Sequence, residues 1–101
     1  MLKKDYAADG KTCLVTFVLG AEAARGASRI HLVGDFNDWN LKATPMTRSP
    51  DGSFQAAVKL EAGREYLFRY HLDDERWEND WNADKYVPSP FLDATNSVVI
   101  V

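Results

Sequence analysis

The chain has 101 residues, enough for one domain and too few for two separate cores. With 46% hydrophobic, 12% aromatic and 27% charged residues, it is not a disordered, collagenous or low-complexity polymer. Fifteen acidic against twelve basic residues leave a net charge of -3, which argues against nucleic-acid and anionic-membrane partners, because both need a concentrated positive field.

Residues 1–11 turn polar almost at once and read as an N-terminal extension or an edge strand. They lack the apolar core of a signal peptide, and no stretch approaches the roughly 18 apolar residues of a membrane span, so a cytoplasmic location is expected. Residues 12–19, rich in Val, Thr and Phe, predict a strand in which the lone Cys13 is a buried, inert thiol. Residues 21–27 favour helix through Ala and Glu, but Gly20 and Gly26 fence them into a loop with one helical turn at most. Residues 29–34 alternate around Ile30 and Leu32. The Pro50-Asp51-Gly52 turn introduces 53–60, where Phe54, Ala56, Val58 and Leu60 share a face. Ala62-Gly63 introduces 64–72 in the same way, with Tyr66, Phe68, Tyr70 and Leu72 on one side and Leu67, Arg69 and His71 on the other. Residues 97–101 end the chain as a strand buried on both faces or nearly so. Short strands with turn signals about every eight to twelve residues predict an all-β, immunoglobulin-like sandwich of about seven antiparallel strands, with consecutive strands as neighbours.

Catalytic signatures are missing. Residues 73–84 hold six carboxylates, but they read as a solvated turn and loop. Glycoside hydrolysis needs two carboxyls held about 5–10 Å apart, one of them buried enough to stay protonated. The ligand order and turn glycine of a calcium loop are lacking. His31 and His71 have no second His or Cys at zinc-ligand spacing, and there is neither a nucleophile elbow nor a phosphate-binding glycine loop. The chain is expected to be no enzyme and to carry no cofactor or metal.

Trp39, Trp77 and Trp81 all fall in polar segments, N-D-W-N and E-R-W-E-N-D-W-N. An indole beside Asn, Asp and Glu offers a flat apolar face next to hydrogen-bonding groups, which suits a sugar ring; packing at the rim of the core is the other use of such a residue. Arg69, opposite the aromatic face of its strand, can project outward, either toward a ligand or as an ordinary surface charge.

The run Leu32-Val33-Gly34-Asp35-Phe36-Asn37-Asp38-Trp39-Asn40 resembles the G-x-F-N-x-W signature of the glycogen-binding type of carbohydrate-binding module, family 48. That family includes the glycogen-binding domains of AMP-activated kinase β-subunits and the N-terminal early-set domains of isoamylase and glycogen branching enzyme. Pro45-Met46-Thr47, the Asp51-Gly52 hairpin, the aromatic strand through Arg69, Trp77 and the ending Asn96-Ser97-Val98-Val99 follow in the family's order. The resemblance spans 12–101, which it implies is a carbohydrate-binding early-set domain. It implies non-catalytic binding of an α-1,4-glucan or maltooligosaccharide, with Trp39 and Trp77 as stacking platforms, Arg69 and Asn96 as polar anchors, and Leu92 packing against or into the glucan. Phe36 reads as core, while Asn37, Asp38 and Asn40 shape the turn. The sequence departs from the family with Arg69 in place of the usual Lys and Asp80-Trp81 in place of Asp-Pro. Trp81 either extends the stacking surface or lies beneath it. The alternative function is a docking domain that packs on a glucan-processing enzyme or kinase without holding sugar.

Overall fold

In the computed structural model, which describes residues 2–89 and 95–101, the alternation along β2 (Thr12–Leu19) turns Cys13, Val15, Phe17 and Leu19 into the interior. The same parity on β6 (Glu65–Leu72) buries Tyr66, Phe68, Tyr70 and Leu72 from the opposite side. Phe17 meets Phe68 edge-on, with ring centroids 4.9 Å apart, and this contact joins two sheets. One sheet has the order β1 (Leu2–Tyr6), β2, β5 (Phe54–Glu61), β4 (Thr47–Arg48). The other runs β3 (Ile30–Gly34), β6, β9 (Thr95–Ile100), β8 (Lys85–Pro88), with β7 (Arg76–Glu78) added beside β6. All pairings are antiparallel, and the architecture is an immunoglobulin-like β-sandwich.

Nine strands among the described residues exceed the seven or so expected, because β4 and β7 are too short and polar to show a period-two pattern. The 21–27 segment contributes one helical turn, α1 (Ala21–Ala24), whose Ala23 and Ala24 face the core. Gly52, at φ 88°, closes the β4–β5 hairpin. Gly63 does something else. The expectation that consecutive strands neighbour one another fails there, since β5 and β6 belong to different sheets and the turn between them is a crossover. The Tyr66 hydroxyl pins this crossover by accepting from the Glu61 amide and donating to the Glu61 carbonyl, both at 3.1 Å.

The acidic stretch also needs correction. Asp80, expected in a solvated loop, is 1% exposed. Its Oδ2 accepts the Tyr70 hydroxyl at 2.7 Å, its amide donates to Ser97 Oγ at 2.9 Å, and its Oδ1 accepts the Asn82 amide at 2.8 Å. Burial first, and the neighbouring Asp80 charge second, push the Tyr70 phenol well above its ordinary pKa. The core thus reaches into a segment whose composition reads as surface.

Candidate functional site

Residues paired across a sheet point to the same side, so the outer face of the second sheet follows from its register. His31, His71 and Trp77 form one row across β3, β6 and β7, because His31 pairs with His71 and His71 with Trp77. Val33 and Arg69 form the next row. Asn96 lies one residue beyond the Phe68–Ser97 pair, on the same face as Val98 and alongside Arg69. The register therefore gathers Arg69, Trp77 and Asn96 on one surface.

Within that surface the side chains support one another. The His71 ring lies 4.4 Å from the Trp77 ring at an interplanar angle of 37°, so one face of the indole rests on the sheet while the residue stays 43% exposed. The Arg69 guanidinium carbon is 6.0 Å from the Trp77 ring centroid, within cation–π range. Arg69 has the predicted parity but does not project outward. It is 7% exposed, and its Nε and Nη2 are buried with no hydrogen-bond partner. Burial lowers its pKa from the usual value, although an arginine remains charged at neutral pH. Asn96 is likewise buried in β9.

Trp39 reaches the same sheet by another route. The chain leaves β3 at Gly34 into a 3-10 turn, Asp35–Asn37, followed by Asp38 and Trp39 in the left-handed region at φ 57° and 56°. Asn37 holds this turn by accepting the Gly34 amide at 3.0 Å and donating to the Leu32 carbonyl and the Thr44 hydroxyl. Asn40 accepts the Lys42 amide at 2.9 Å, and Phe36 packs on the core against Phe17, at 5.5 Å. Asp35 then links Trp39 to the sheet, accepting the indole N–H at 2.9 Å and the Leu67 amide at 2.8 Å. Leu67 and His71 lie four positions apart on β6, roughly 13 Å along the strand, which separates the tether of Trp39 from the support of Trp77.

Trp81 does not join this surface. It is 55% exposed and lines a cleft with Val18, Leu19 and Ala21. Leu92 lies outside the described residues. His71 and Asp35 were missed as supporting residues. The parity that placed Arg69 places His71 two positions further along the same face, so it was legible, whereas nothing local to Asp35 announces that it reaches Leu67.

Among the described residues, no three His, Cys, Asp or Glu side chains cluster as a metal site requires, and no helix is long and apolar enough to cross a membrane. Residues 15–90 match the family model for carbohydrate-binding module 48, the isoamylase N-terminal domain. No curated protein matches the chain.

Proposed function

The chain belongs to the carbohydrate-binding module 48 family, and on that premise we propose that it binds an α-1,4-glucan without catalysis, on the outer face of the second sheet. The observation that carries this reading is the open indole of Trp77, backed by His71 and Arg69. A ring supported from the sheet side offers its free face to the C–H side of a sugar at little entropic cost. Trp39, tethered through Asp35, is the second platform. The strand length between their supports exceeds a single sugar ring, which favours a chain over a monosaccharide.

Asn96 and Arg69 are the polar anchors. The Nε and Nη2 of Arg69 are enclosed and lack a hydrogen-bond partner, so Arg69 anchors the site first through its charge beneath Trp77, and a sugar hydroxyl reaches these two donors only when that ring shifts. The chain acts by bringing a glucan to a glucan-metabolising enzyme. Binding is modest, because an open surface buries few ligand atoms and orders a flexible polymer.

The test is intrinsic fluorescence titrated with β-cyclodextrin, with a non-glucan sugar as control. Saturable quenching is expected, and Trp77→Ala and Trp39→Ala each weaken binding by about 2 kcal/mol, roughly thirtyfold. Undiminished binding by both folded variants overturns the stacking mechanism. A flat titration of the folded parent overturns glucan binding itself.

A further inference from the structure

Trp81 is the most exposed large apolar side chain among the described residues, and it stands only four positions from Trp77, yet the two indoles serve different surfaces. Trp77 lies with His71 on the outer face of the second sheet. The chain then turns inward at Asp80, whose carboxylate takes the Tyr70 hydroxyl inside the core and whose amide bonds Ser97. It emerges on the flank of the sandwich. There Trp81 and Asn82 border a cleft of about 350 Å³ whose apolar wall comes from Val18, Leu19, Ala21 and Ala23, at the end of β2 and in α1.

We propose that this flank cleft is a second carbohydrate subsite, taking one hexose unit of a neutral glycan stacked on Trp81. The volume falls within the range of small-ligand pockets, about 300–1,000 Å³. The small aliphatic wall matches the C–H face of a pyranose, and the indole supplies a stacking plane. Glu22 and Asn82, both exposed at the cleft, supply acceptors and donors for ring hydroxyls. The Trp81 indole N–H donates to Glu78 Oε1 at 3.4 Å, which orients the ring. Glu22 and Asp80 line the cleft and Glu78 holds the indole N–H, so an anionic sugar is repelled and a neutral one accepted.

This subsite shares its ligand class with the outer-face site and uses none of its residues. Two sites on one small domain have a consequence for long ligands. A polymer that reaches both binds the second at a high effective concentration, so long glucans are retained more strongly than short ones without any new contact.

The experiment follows the three indole N–H resonances of the nitrogen-15-labelled chain titrated with maltoheptaose, with Trp81→Phe identifying its own signal. The Trp81 resonance is expected to shift saturably in the parent and to keep doing so in Trp77→Ala, or in Trp77→Leu if the alanine variant is unfolded. Trp81→Phe should leave the Trp77 shift in place. If Trp77 responds and Trp81 does not, or if the Trp81 shift disappears with the Trp77 substitution, the second subsite is overturned and the outer-face reading stands. If Trp81 responds and Trp77 does not, the second subsite stands and the outer-face reading falls. Silence from both overturns both.

Discussion

The indole nitrogen of Trp39 and the carboxylate of Asp35 are 2.9 Å apart, and the second oxygen of that carboxylate holds the backbone amide of Leu67 at 2.8 Å. One acidic side chain thus fastens a ring on a left-handed loop to the strand that carries Arg69 and His71. A bulky residue at φ 56° costs on the order of 1–3 kcal/mol, and such strain persists only where neighbouring bonds hold it.

Asp35→Ala is therefore expected to free the Trp39 ring more than it unfolds the domain. Affinity for β-cyclodextrin should fall about three- to tenfold, while stability drops by only about 1 kcal/mol. Paired titration and urea unfolding check this. A stability loss with unaltered affinity would show that Trp39 needs no tether.

Gly34 has an extended backbone, so its importance is one of space rather than of dihedral angle. A Cβ there would meet the Leu67 carbonyl oxygen at 2.5 Å and both Phe36 Cε2 and Phe68 Cβ at 2.9 Å. The backbone oxygen cannot swing aside as a side chain can. Gly34→Ala should cost about 2 kcal/mol or more, read as a lowered urea midpoint at unchanged slope.

The Tyr70–Asp80 hydrogen bond, 2.7 Å long inside the core, invites a similar test. Tyr70→Phe withdraws a donor from a buried carboxylate and should destabilise by about 2 kcal/mol; Asp80→Ala removes several bonds together and should cost about 3 kcal/mol. Equilibrium unfolding of both variants decides the matter. A neutral Tyr70→Phe would mean that the carboxylate finds another donor at no cost.

The backbone amides of Arg29 and then Ser28 hold the Asp73 carboxyl below its ordinary pKa, with the charges of Arg76 and Arg29 adding to them. The unfolded chain therefore binds this proton more readily than the folded one. The resulting stabilisation is fully present above the unfolded value and is lost as the pH falls through the folded one, below about pH 4. Asp73→Asn should be less stable than the parent near neutrality and should lose less stability on acidification. Unfolding midpoints between about pH 2 and pH 6 test the sign, and parallel curves for parent and variant contradict it.

Much of the fold could be read from the chain alone, because period-two alternation is a local property. Along 12–19, 53–60 and 64–72 it determined which residues enter the core, and Asp51-Gly52 determined one hairpin. The run from Gly34 to Asn40 marked the loop that carries Trp39, and strand parity placed Arg69 on the outer face. Tertiary structure alone decided the remainder. Only the register of three strands shows that Trp77 rests on His71 and covers Arg69. Only the crossover at Gly63 shows that β5 pairs with β2 and not with β6. Asp80 looks like any acidic loop residue until Tyr70 and Ser97 arrive from other strands to satisfy it, and its descent into the core is what sends Trp77 and Trp81 to different surfaces. Alternation is imposed by each residue on its immediate neighbours, whereas exposure, partnership and the direction of a loop depend on groups distant in sequence that only folding brings within bonding range.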